Sequence, residues 1–72
     1  METRIFDRLA TVTSSDRQRT EIFNRGERVK NIRRIGTRVM FEPVDTSHVA
    51  GTYVMDWSEF EAITTAVREA RA

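Results

Sequence analysis

Apolar positions recur along the chain with two periods. From Trp57 onward, Trp57, Phe60, Ile63, Val67 and Ala70 follow the helical period and fall on one face. Before that point they come in short alternating runs, as strands require. Local chemistry supports the helix. Asp56 is placed as an N-cap, able to accept first-turn N–H groups. Glu59 completes a capping-box pattern, and Met55 and Phe60 hold the hydrophobic-staple positions. Acids (Asp56, Glu59, Glu61) sit near the positive end of the helix dipole, and Arg68 and Arg71 near the negative end. The spacing predicts a helix from Trp57 to Ala70. A strand at Thr52–Met55 should precede it, starting after Gly51.

A four-residue motif repeats upstream: Thr, any residue, Ile or Val, then Phe or Met. It begins at Thr3, Thr20, Thr37 and Thr52. Each copy suits a strand, with Thr and Ile or Val on one face. Regular spacing with turns between predicts an antiparallel meander. Two segments stay open. Ile5, Phe6, Leu9 and Val12 also fit a helical stripe, so residues 1–12 read equally as strand or helix. Ser15 and Gln18 could cap a helix over 16–25, but only Ile22 and Phe23 would give it a face to bury. The favoured reading makes Asn24-Arg25-Gly26 a hairpin loop with Gly26 left-handed, between strands near 19–23 and 27–32. Thr37–Glu42 reads as a strand with Val39 and Phe41 on one face; Pro43 marks an edge or the strand's end. Asp45–His48 is turn-like and leads to a last strand at Val49–Met55.

The expected fold is α+β, one domain over residues 1–72: a small antiparallel β-sheet of three to four strands in a meander, packed against a C-terminal α-helix. With 72 residues and no cysteine, stability must come from that core or from self-association, so a homodimer is one expectation. A cytoplasmic location fits the missing cysteines. No stretch approaches the roughly 20 apolar residues of a membrane span, and METRIFDRLA carries charges unlike a signal peptide's apolar run.

The net charge of +1 conceals segregation: residues 17–38 sum to +6, while residues 39–72 sum to −4. Arg28, Lys30, Arg33, Arg34 and Arg38 are therefore the candidate nucleic-acid contacts, able to track a phosphate backbone and release counterions. Met40 and Tyr53 are candidates for apolar or stacking contacts beside them. A solvated face that keeps a small sheet soluble and blunts its edge is the simpler reading of the same charges. The pI near 8.4 is below the mark of about 9 typical of nucleic-acid-binding domains. Trp57 either packs over the sheet edge or anchors a partner, as Trp often does at binding hot spots.

Catalysis is not expected. Asp45, Ser47 and His48 are near neighbours in one turn, whereas triads assemble residues distant in the chain. The three glycines match no phosphate-binding fingerprint. One His without Cys offers no zinc set, so neither metal nor cofactor is implied. Two function classes remain. One is a small regulatory protein contacting nucleic acid through its Arg-rich β segment. The other is a phage- or mobile-element-type inhibitor or adaptor acting on a host protein.

The stretch Gly51–Ile63, a strand running into a capped helix, resembles the single-strand-binding transcriptional coactivator family. The resemblance covers under a third of the chain. It implies a dimer gripping single strands on a basic sheet face. That family's long first hairpin is not evident here.

Overall fold

A computed structural model describes residues 3–67. The fold is α+β. Strands β1 (Thr3–Phe6), β2 (Ala10–Ser14), β3 (Thr20–Phe23), β4 (Arg28–Ile35), β5 (Arg38–Pro43) and β6 (Tyr53–Asp56) lead into helix α1 (Trp57–Ile63), and β7 (Thr64–Val67) follows. All seven strands form one antiparallel sheet, ordered β3-β2-β6-β5-β4-β1-β7 and curled into a half-barrel. Among the described residues α1 is the only helix, and no helix is long and apolar enough to cross a membrane.

The sheet is larger than the three to four strands expected, and it is not a meander. The segment read as strand or helix supplies strands on both sides of the sheet's centre, β1 and the start of β2, and residues 16–25 form a turn followed by β3. The turn after β2 closes on polar side chains. Ser14 Oγ donates to Asp16 at 2.6 Å, and the Gln18 amide donates to the same carboxylate oxygen at 2.9 Å. These bonds hold the exposed Asp16 carboxyl below its usual range, the Ser14 bond contributing most.

The expected hairpin about Asn24–Gly26 is also corrected. Gly26 is left-handed, at φ 94°, but β3 pairs with β2 and β4 pairs with β5 and β1. The reason lies in Phe6. Its N–H donates to Glu27 O at 2.9 Å and its carbonyl accepts from Gly26 N at 2.8 Å. These bonds draw the chain away from β3 and onto the β1 side. The true tight hairpin joins β4 and β5 through Gly36-Thr37, with Gly36 at φ 61°, the glycine placement that type II′ turns favour. Pro43 ends β5, so its missing donor interrupts nothing in the strand's middle.

The helix is half as long as its periodicity suggests. Thr64 is extended, at φ −128° and ψ 156°. Its hydroxyl donates to Phe60 O at 2.5 Å, and Asp7 N donates to Ile63 O at 2.8 Å. Carbonyls at the helix end thus find donors outside the helix. The β-branched pair Thr64-Thr65 then continues as β7, matched residue for residue against β1. Val67 is therefore a strand residue; Arg68, Ala70 and Arg71 lie outside the described residues. At the other end Asp56 occupies the N-cap position, but its side chain makes no capping bond. Instead Trp57 N donates to Thr37 O, at 2.9 Å, in the β4–β5 hairpin.

The concave side holds the core: Phe6, Ala10, Val12, Phe23, Val29, Val39, Phe41, Tyr53, Met55, Phe60 and Ile63. Phe6 sits among three rings, with centroids at 5.4 Å (Phe23), 6.1 Å (Phe41) and 6.3 Å (Phe60). Truncating it leaves a cavity as well as losing burial. Phe6→Ala should destabilise the domain by about 3–5 kcal/mol in urea unfolding, a large share of the stability of so small a domain. Met40→Ala, on the opposite side of the sheet, should cost a small fraction of that in the same measurement.

Candidate nucleic-acid interface

Directly opposed residues of antiparallel strands share a face. Register therefore decides which arginines meet. Arg33 pairs with Met40, Met40 with Val54, and Val54 with Thr13, making one row across β4, β5, β6 and β2 on the outer, convex face. Lys30 opposite Glu42 lies beside this row on one side. Arg38, between Ile35 and Asp56, lies beside it on the other. Met40 and Val54 are half-buried, while Lys30, Arg33 and Arg38 are exposed.

A β-bulge creates this arrangement. The register shifts between Lys30 and Arg33, so Asn31 and Ile32 together stand opposite Phe41. Asn31 takes the left-handed conformation, φ 53°, and its amide donates to Glu42 Oε1 at 3.2 Å. Asn tolerates that backbone better than most side chains. The extra residue inverts the alternation of everything beyond it. Arg33 is brought to the outer face, and Arg34, opposite Val39, is sent to the inner side.

Two shallow clefts flank the Met40–Val54 strip. One, of about 410 Å³, is lined by Asn31, Ile32, Arg33, Met40, Glu42 and Thr52. The other, of about 280 Å³, is lined by Thr13, Arg17, Arg38 and Val54. The second cleft adds Arg17, which sequence reading left out. Arg17 stands in the β2–β3 turn, at φ 62°, far from the basic strand in sequence. Only the pairing of β2 with β6 brings it to the face.

The other candidates separate. Arg28, opposite Ile5, is exposed towards β1, beside a cleft it shares with Arg25, Glu27 and Val44. Arg34 stacks on Trp57, its guanidinium carbon 5.0 Å from the ring centroid, and its Nε donates to Gly36 O at 3.0 Å. Arg4 lies 5.6 Å from the same ring and donates to Thr64 Oγ1 at 3.2 Å. Trp57, half-buried, thus has two guanidiniums close to its ring. Tyr53 is fully buried, its hydroxyl donating to Val49 O at 2.9 Å. It belongs to the core and offers no surface for stacking.

One polar cluster is wholly absent from the sequence reading. The turn histidine, His48, meets Glu21 and Glu27, which are 27 and 21 residues away. Nothing local announces the meeting. Among the described residues, no set of three His, Cys, Asp or Glu side chains is arranged to hold a metal ion. Comparison of the chain with protein-family models, curated proteins and solved structures finds no match.

Trp57 is the single tryptophan, so its surroundings can be read by fluorescence. Arg34→Ala should expose one face of the indole, raise acrylamide quenching, and remove a contact worth about 0.5–1 kcal/mol. Arg33→Ala, on the other side of the sheet, should leave the quenching unchanged.

Proposed function

We propose that this is a small nucleic-acid-binding regulatory protein that lays a phosphate backbone across the outer face of β4, β5 and β6. The observation that supports this reading is the row Arg33–Met40–Val54–Thr13, with Lys30, Arg38 and Arg17 around it. Guanidinium forks suit phosphate oxygens, and the apolar strip suits sugars and base faces. Glu42 is engaged by Asn31, which lessens its repulsion of an approaching phosphate. No catalytic step is assigned to the face, since it presents no nucleophile with a base beside it.

A second reading rests on the Trp57 end, where Arg4 and Arg34 both approach the indole beside a cleft of about 170 Å³ lined by Arg34, Thr37, Asp56, Trp57 and Ser58. Trp and Arg are over-represented at protein-binding hot spots, so this end suits an inhibitor or adaptor docking on a host protein.

Salt-titrated binding to single- and double-stranded probes separates the two. Binding should weaken steeply with salt. Arg33→Ala with Arg38→Ala should lower affinity across all sequences and flatten the log–log salt slope by roughly 1 per lost phosphate contact on duplex, and about 0.7 on single strands. Arg34→Ala should change neither. Absence of binding to both probe types at low salt would sink the nucleic-acid reading. A stoichiometric protein partner that resists nuclease and is lost in Trp57→Ala would support the second.

A further inference from the structure

The β5–β6 connection, residues 44–52, is the longest segment without helix or strand among the described residues. It is organised from within by an Asp45 side chain that accepts from Ser47 N at 3.0 Å, and it is anchored by His48. The imidazole stacks on Phe23 of β3, with centroids 4.2 Å apart and planes 12° from parallel. Nδ1 lies 2.7 Å from Glu21 Oε1, and Nε2 meets Glu27 Oε1 at short range. The side chain is 8% exposed, and those of Glu21 and Glu27 are 19% and 14% exposed. Each carboxylate is fixed by its second oxygen. Glu21 Oε2 faces Val49 N at 3.4 Å, and Glu27 Oε2 accepts from the Asn24 amide at 3.0 Å and its side chain at 3.2 Å.

This geometry selects one protonation state. A neutral imidazole has one N–H donor and one lone pair, whereas an imidazolium donates from both nitrogens. Between two carboxylates, the neutral ring must turn a lone pair towards an anionic oxygen. Only the charged ring satisfies both sides. We propose that His48 is a proton-operated latch: its imidazolium ties the 44–52 loop to edge strand β3 and to the turn entering β4, and deprotonation releases that loop. The inference stands apart from the nucleic-acid reading and needs no ligand.

The surroundings agree. Other charged groups near the latch are Arg19, from the β2–β3 turn, and Arg25, Arg28 and Asp45, which share the cleft beside Glu27. Tyr53, from β6, keeps its proton because burial raises its phenol above the usual 10.0. Burial opposes charge on His48, but the Glu21 and Glu27 carboxylates outweigh it and raise the imidazole above its usual 6.5. The His48 bond in turn holds the Glu21 carboxyl below 4.5. A group raised in the folded state contributes stability fully below its unfolded value and loses it as pH rises through the folded one. His48 therefore stabilises the loop fully below pH 6.5 and loses that contribution as pH rises through its own raised value. The Glu21 contribution is present above pH 4.5 and fades as pH falls through its lowered value. The latch is tightest between these limits.

His48 is the only histidine, so its ring resonances report the titration without assignment ambiguity. The test is an NMR titration of His48 alongside amide hydrogen exchange of Ser47 and Val49, which donate to Asp45 and Glu21, each corrected for intrinsic rate. His48 should titrate above 6.5, and loop protection should fall on deprotonation by about tenfold for each unit of that difference. Protection of Val39 and Phe41 in β5 should stay constant. His48→Gln should leave the loop weakly protected at every pH. If that variant does not fold, Glu27→Gln serves. Its amide can donate to Nε2 while Nδ1–H donates to Glu21, so the latch should stay shut with a neutral ring through pH 8. Titration of His48 at or below 6.5, loop protection independent of pH in the native protein, or an unchanged pH response in Glu27→Gln would overturn the proposal.

Discussion

Phe6, Phe23, Phe41 and Phe60 come from β1, β3, β5 and α1, and their rings form one connected cluster with centroid separations from 5.1 to 6.3 Å. All four phenylalanines of the chain are spent there. The rest of the architecture depends on that cluster. A curled sheet of short strands has little stability unless its concave side is filled, and a domain of this size has few residues with which to fill it. Large rings bury much area per residue and prefer the tilted and edge-on contacts found here, such as 85° between Phe23 and Phe41 and 90° between Phe6 and Phe60. The seven-residue helix needs no intrinsic stability of its own. It is about two turns of chain that deliver Phe60 and Ile63 to the cluster.

With the concave side committed to packing, polar chemistry is left to the outer face, the hairpin tip and the loop connections. The bulge at Asn31 and Ile32 divides the basic segment between two of these places. Without the extra residue, Arg33 would fall opposite Val39 and Arg34 opposite Arg38, exchanging the faces they occupy. One inserted position thus sets both the spread of positive charge beside Met40 and the guanidinium that covers Trp57. The acidic groups are also put to use locally: Glu42 braces the bulge, while Glu21 and Glu27 receive His48.

Parts of this were legible from residue order. The four Thr-x-Ile/Val-Phe/Met copies all begin in or just before strands, at β1, β3, β5 and β6, because β-branched and aromatic residues with two-residue alternation have little use elsewhere in so short a chain. The start of α1, the left-handed Gly26 and the turn at Asp45–His48 were legible for the same local reasons. β2 was hidden because Ala10–Ser14 is mostly small and polar, with only Val12 as a large core residue. β7 was hidden because Ile63 and Val67 satisfy helical spacing as readily as strand alternation.

The sequence by itself determined the class, α+β with an antiparallel sheet, the helix and its first residue, and the concentration of positive charge between Arg17 and Arg38. These depend on interactions between near neighbours, which residue order states directly. Tertiary structure decided how many strands pair and in what order, since hydrogen bonds from Phe6 to Gly26 and Glu27, and from Asp7 to Ile63, are made across the fold. It decided which arginines share a face, because register and a bulge are properties of paired strands. It placed Tyr53 in the core and His48 between two carboxylates, because burial and charge contact depend on distances in space that no local spacing encodes.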